Sequence, residues 1–207
     1  MEKGLLNGRL DSPLSVRGKL EARLVAERLR GECFDAFYTS PLGRARETSA
    51  AIALAVGQEP VIAEELREVD FGWLEGRPLP LFAKRPSGSR LRQSLRLPFI
   101  LATQAVVAVS GERWNQVFNR VERLLQRVVQ DHPSGRVLLV SHSAVHYAIL
   151  RLTLNLGSRA RTFLLDPCGI TELDLESAGH AVSRRINDTQ HLQPLASQAQ
   201  ATGVNPC

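Results

Sequence analysis

His142 stands just past Val137-Leu138-Leu139-Val140, where a wholly apolar run stops in Ser141-His142-Ser143 and a helical apolar period, Ala144 to Leu154, begins at once. Imidazole is the side chain whose ordinary pKa lies nearest neutrality, so it serves as donor, proton shuttle or nucleophile according to its surroundings. A short apolar run followed by 3.6-residue periodicity reads as a buried strand, a turn and a helix. Strands of this kind deliver functional side chains at their carboxyl ends in α/β proteins. Taken alone the histidine reads rather as a satisfied turn residue than as a functional one. Its chemistry depends on what else the chain brings to it.

Three other stretches supply candidate partners. Tyr38-Thr39-Ser40-Pro41-Leu42-Gly43-Arg44-Ala45-Arg46-Glu47-Thr48 puts Arg44 at a helix start just after a strand. A helix dipole, free N–H groups and a guanidinium converging there would suit a phosphate. Leu66-Arg67-Glu68-Val69-Asp70-Phe71-Gly72-Trp73-Leu74-Glu75-Gly76 is a carboxylate-rich loop with two glycines and aromatics. A carboxyl held against apolar surface there would have a raised pKa and could act as a general acid. Gly8-Arg9-Leu10-Asp11-Ser12-Pro13-Leu14-Ser15 is a turn-rich entry to the first helix. Separately, these are a surface arginine, an acidic loop and a helix cap.

The elements that must position these groups follow from pattern and punctuation. Ser15 caps a helix from about Val16 to Arg30, ended by Gly31. Phe34 to Thr39 reads as a strand, Arg44 to Val56 as a helix stopped by Gly57, and Pro60 to Ala63 as extended chain. Residues 64 to 76 read as loop. Trp114, Val117, Val121, Leu124, Leu125 and Val128 form one face of a helix spanning Glu112 to Asp131. Alternating runs at Gly169 to Leu175 and Ala181 to Ile186 close the domain. Helices interleaved with short apolar strands predict an α/β sheet covered on both faces. One domain over residues 1–192 is expected, with residues 193–207, rich in Gln, Ala and small polar groups, as a disordered tail.

The chain has 207 residues, 43% of them hydrophobic and 23% charged, as in a soluble globular domain. No apolar run is long enough to span a membrane, and Met1-Glu2-Lys3-Gly4 does not open a signal peptide, so a cytoplasmic protein is expected. Cys33, Cys168 and Cys207 read as free thiols, and neither a CxxC pair nor histidine ligand spacing offers a metal site. The net charge of +5 points to anionic partners. Much of it lies in Arg77, Lys84, Arg85, Arg90, Arg92 and Arg96, which read equally as a solvated loop or an anion-facing cover. With Phe82 as its one aromatic, that run argues against nucleic-acid binding. A serine hydrolase is disfavoured because no Gly-x-Ser-x-Gly elbow is present.

In this order and spacing, "GRLDSPLSVRG", "YTSPLGRARETSAAIA", "LREVDFGWLEG" and "VLLVSHS" resemble the histidine phosphatase superfamily, which includes the cofactor-dependent phosphoglycerate mutases. The likeness runs from about Glu2 to Leu192. It implies a three-layer α/β/α sandwich of the phosphoglycerate mutase type. It also implies a reaction in which a histidine, in an Arg-His-Gly motif ending the first strand, attacks a phosphoryl group to form a phosphohistidine. Carried over by motif, Arg44 is the phosphate-binding arginine, His142 the second histidine and Glu68 the acid that protonates the leaving oxygen. Ser143 stands where glycine is usual, either adding a hydroxyl near the phosphate or crowding the turn. No cofactor is implied.

The resemblance places the Arg-His-Gly strand upstream of Gly8, yet the sequence begins at Met1 and no histidine precedes His132. The first central strand is therefore expected to be missing, through a mis-set start or truncated frame rather than through evolution of a pseudoenzyme. With that strand present the chain is expected to be a phosphatase of a small phosphorylated metabolite. The alternatives are a catalytically dead phosphate-binding protein and, less favoured, a mutase or a nucleic-acid-binding protein. The oligomeric state is left open.

Overall fold

The computed structural model describes residues 6–77, 111–154 and 165–195. Most of the basic run, residues 78–96, lies outside these, as do residues 196–207 of the expected tail.

Helix α1 (Val16–Arg28) opens on Ser15, whose Oγ accepts the Gly18 N–H at 3.1 Å, so the cap read from the sequence is the one used. Strand β1 (Ala36–Thr39) leads through Ser40-Pro41-Leu42 into α2 (Gly43–Val56). That helix ends at Gly57, whose φ of 72° is the left-handed conformation glycine adopts without a Cβ penalty. A two-residue strand, β2 (Val61–Ile62), follows. The stretch read as loop contains two single 3₁₀ turns, Glu64–Leu66 and Gly72–Leu74.

Helix α3 (Trp114–Asp131) buries Val117, Arg120, Val121, Leu124, Leu125 and Val128, spaced by three and four residues as one helical face requires. Strand β3 (Val137–Val140) leads through Ser141 and His142 into α4 (Ser143–Thr153). The hairpin of β4 (Ile170–Ser177) and β5 (His180–Asp188) ends the domain, its antiparallel register broken by irregularities near Glu172 and Leu175.

Strands β2, β1 and β3 form a parallel sheet in that order. Side chains alternate across it. Val137 and Leu139 join the core built by α3, α4, Leu66 and Val69, whereas Leu138 and Val140 join the core of α1, α2 and Phe37. Helices thus cover both faces, giving the three-layer α/β/α sandwich.

The sheet is in two pieces. The hairpin contributes to both cores, Ile170 to one and Leu173 and Leu175 to the other, so β4 runs in the plane of the sheet. Among the described residues no ladder joins β4 to β3. The consequence shows in burial: all four apolar residues of β3 are only half-buried, whereas β1 buries three of its four. Among the described residues, β3 pairs with β1 on one side and has no ladder partner on the other.

Candidate active site

Parallel pairing dictates where the site forms. Thr39 and Val140 are the last, mutually registered residues of β1 and β3, so the residues that follow them emerge side by side. The Ser40 N–H donates to the Val140 carbonyl at 2.9 Å, which carries the pairing one residue past the strand. Two residues after Val140, the His142 ring closes on Ser40, with Nε2 2.7 Å from Oγ. Ser40 is fully buried, as are its neighbours Thr39 and Ser49. Ser49 Oγ donates to Thr39 Oγ1 at 2.7 Å, so this polar pocket beneath the site is satisfied internally.

Glu68 reaches the same corner from the loop after the first 3₁₀ turn. Leu66 and Val69, both in the core, pin the backbone on either side of it and drag the carboxyl inside, where it is 8% exposed. Oε1 accepts the Val69 N–H at 2.9 Å, and Oε2 accepts the Ser143 hydroxyl at 3.3 Å. The Ala144 N–H also points at this carboxyl, so Glu68 occupies the N-terminus of α4, the helix His142 begins. Burial pushes its pKa up, and that effect outweighs the opposing pulls of Val69, Arg44, Ser143 and Ala144. A carboxyl raised in this way holds its proton to higher pH than an ordinary glutamate and can give it to a leaving oxygen.

His142 is shifted the other way. Burial first, then the charges of Arg44 and Arg120, bring its pKa down to about 3, so the ring is neutral at physiological pH. Arg120 is itself buried. It is held by Glu112 at 2.7 and 3.1 Å and donates to the Glu65 carbonyl.

Arg44 lies in the first turn of α2, just after β1, as the sequence pattern expects. Its guanidinium donates to the Gly8 carbonyl at 2.7 Å and the Leu10 carbonyl at 3.1 Å. The Gly43 N–H, the first of α2, is taken by Asp11 Oδ1 at 2.8 Å. This helix N-terminus is therefore already capped by an anion, and Arg44 clamps the entry loop while it faces Glu68, Asp11 and Glu75 electrostatically. Glu75 completes the clamp, since its Oε1 accepts the N–H groups of Arg9 at 2.8 Å and Phe71 at 3.1 Å. Gly8 has a φ of 31°, and a Cβ there would collide with the Glu75 carboxylate.

Of the four candidates, the structure brings His142, Glu68 and Ser143 together and sets Arg44 beside them. Ser143 spends its hydroxyl on Glu68. Sequence reasoning missed Ser40, Asp11, Glu75 and Arg120. Ser40 was legible only as a turn residue, because its role comes from the register of two strands about a hundred positions apart.

The other four histidines are placed elsewhere. His132 Nε2 meets Tyr38 Oη at 3.2 Å, His180 pairs with Glu176 in the hairpin, and His191 Nε2 meets the Cys168 carbonyl at 3.0 Å. His146 is half-buried on α4, its pKa lowered to about 4 by desolvation. Among the described residues no group of three or more His, Cys, Asp or Glu is arranged to hold a metal ion, and no helix is long and apolar enough to cross a membrane. An open cleft of about 520 Å³ between α3, the end of α4 and the hairpin turn shares no residue with this site.

A neutral histidine, a buried carboxyl and an arginine thus lie together near the carboxyl ends of parallel strands. The chain also matches the family model of the histidine phosphatase superfamily (branch 1) over residues 1–189. It belongs to that superfamily.

Among its relatives is a protein of Yersinia enterocolitica named probable phosphoglycerate mutase GpmB, 30% identical over 192 residues, 90% of this chain and 86% of the relative. Among solved structures, a phosphoserine phosphatase of Entamoeba histolytica in complex with 3-phosphoglyceric acid aligns with a TM-score of 0.70 and 27% identity. The alignment covers 91% of each chain. The YhfR protein of Bacillus stearothermophilus aligns with a TM-score of 0.75 over 91% of each chain. At 24% identity it speaks for the fold alone. The superfamily thus supplies the mutase-like α/β/α architecture expected from the four sequence motifs.

Proposed function

We propose that this chain is the phosphate-holding body of a phosphatase that hydrolyses a small phosphomonoester through a phosphohistidine. In this reading Arg44 and neutral His142 bind the phosphoryl oxygens, and Glu68 protonates the leaving oxygen. The attacking histidine arrives on a strand, expected to precede Gly8, that pairs along the edge of β3 away from β1. Its Nε2 forms the bond to phosphorus as the ester oxygen departs with the Glu68 proton. Water, deprotonated by Glu68, then cleaves the phosphorus–nitrogen bond and returns histidine and inorganic phosphate.

The observation that carries this reading is the pairing of Glu68 with the helix that His142 begins. A buried, raised-pKa carboxyl and a neutral imidazole are held at adjacent strand and helix ends. A buried glutamate serving only as a cap would not need a neutral histidine beside it. The acidic metabolites in the names of the relatives, phosphoserine and 3-phosphoglycerate, are the first substrates to try, and the cytoplasm is the compartment proposed.

The test extends the chain upstream of Met1 with an apolar strand ending in Arg-His-Gly. The extended protein is expected to hydrolyse phosphoserine or 3-phosphoglycerate and to trap phosphorus as an acid-labile, alkali-stable phosphohistidine. Arg44→Ala and His142→Ala should each lower its turnover by about 100-fold or more, as loss of transition-state charge stabilisation does. Transfer to a phosphoglycerate acceptor in place of water would make it a mutase. Phosphate binding without trapped phosphohistidine would leave only a binding protein.

A further inference from the structure

We propose that Ser40 is a positioning residue for His142: its buried hydroxyl donates to Nε2 and fixes the ring as the Nδ1–H tautomer, leaving that N–H as the donor to a phosphoryl oxygen. The last clause rests on the phosphatase reading. The tautomer does not.

The argument is one of satisfying every polar group. Ser40 is fully buried, so its hydroxyl proton needs an acceptor inside the protein. The oxygen already accepts the Leu42 N–H at 3.3 Å. Thr39 Oγ1 donates to the Ser40 carbonyl at 3.4 Å and accepts from Ser49 Oγ at 2.7 Å, and neither bond involves the Ser40 hydroxyl. Among the described residues, the acceptor within reach of the Ser40 proton is His142 Nε2, at 2.7 Å, a distance usual for a well-formed bond.

The ring can play that part because it is neutral. Burial and the neighbouring arginines keep it unprotonated, and a neutral imidazole has one acceptor nitrogen and one donor nitrogen. Once Nε2 accepts from Ser40, the ring proton sits on Nδ1. Free histidine favours the opposite tautomer, so the protein must impose this one. It does so with rigid parts, since Ser40 is held by its own N–H on Val140, at the end of the strand that leads to His142. Such outer partners orient a functional imidazole and choose which nitrogen faces the ligand.

The test is long-range ¹H–¹⁵N correlation spectroscopy of the ¹⁵N-histidine-labelled chain at pH 7. His142 is expected to show a pyridine-like Nε2 and a pyrrole-like Nδ1, and inorganic phosphate should move the Nδ1 resonance more than the Nε2 resonance. Ser40→Ala should shift the ring towards the Nε2–H form. Ser40→Cys, with a weaker donor, should give an intermediate pattern, the fold of both being checked by circular dichroism. A wild-type ring protonated on Nε2 overturns the proposal outright, as does a folded Ser40→Ala variant with an unchanged tautomer. Should Ser40→Ala fail to fold, the wild-type spectrum and Ser40→Cys decide it. None of these spectra needs turnover, so an inactive strand-extended protein would sink the phosphatase reading while leaving the tautomer assignment standing.

Discussion

Asp11 accepts the Gly43 N–H at 2.8 Å and so caps α2 from a loop thirty-two residues earlier in the chain. The residue at the helix's own N-cap position, Leu42, has no side-chain oxygen to offer. The motif "GRLDSP" is therefore a remote cap as well as a turn. Arg44, one residue into the helix, returns the contact by holding the Gly8 and Leu10 carbonyls.

Asp11→Ala should lower stability by about 1 kcal/mol, the usual worth of a cap, whereas Asp11→Asn should retain most of it because an amide oxygen caps as well. Urea denaturation of the three proteins checks this. Equal midpoints for Ala and wild type would reduce the contact to a bystander.

Glu68 gives a prediction with two readouts. Its folded-state pKa is raised, so the folded protein holds the proton at pH values where the unfolded chain has lost it. Stability then falls as pH rises from the ordinary glutamate value through the raised one. Glu68→Gln removes this loss and should be at least as stable as wild type at pH 7. In the strand-extended enzyme, the same change should slow esters with poor leaving groups more than those with good ones. An equal loss for both would remove Glu68 as the acid.

How much of this was legible depends on the range of the interaction. The Ser15 cap, the Gly57 stop, the apolar face of α3 and the run Val137–Val140 are local patterns, and the structure uses each as read. Glu68 was found as a motif residue, but its burial follows from Leu66 and Val69 entering the core on either side. Ser40 and Asp11 were hidden for a physical reason. Their partners, His142 and Gly43, are brought to them by a parallel register and by a loop crossing, neither of which leaves a trace in local periodicity. The irregular hairpin register was equally hidden, since side-chain alternation alone does not reveal a bulge.

His142 and His146, both half-buried, set an acid limb. The folded-state pKa of His142 is depressed to about 3 and that of His146 to about 4, against an ordinary value of 6.5. For groups depressed in the folded state, the unfolded chain binds protons first as pH falls. Their contribution is therefore complete above about pH 6.5 and is lost towards pH 4 and below, with a slope of up to about 1.4 kcal/mol per pH unit for each group. His142→Gln and His146→Gln should each flatten the fall in urea midpoint between pH 6.5 and 4.5. A variant with the wild-type slope would show that its histidine is not buried neutral. Glu68 works in the opposite direction over part of this range, so Glu68→Gln should steepen the limb.

The edge of β3 away from β1 yields the most direct structural test. Ser40 donates to the Val140 carbonyl, and N–H and C=O groups of one strand residue point to the same side of a parallel ladder. Leu138 and Val140 therefore face β1, and the N–H groups of Val137 and Leu139 face the gap before β4. In native-state hydrogen exchange, the Leu138 and Val140 amides should be well protected, and those of Val137 and Leu139 should exchange at least about tenfold faster. Adding the Arg-His-Gly strand should slow only the second pair, because a strand on that side of β3 would offer acceptors to these amides. Protection of all four amides without the added strand would mean that the edge is already covered, and the nucleophile would then have to come from elsewhere.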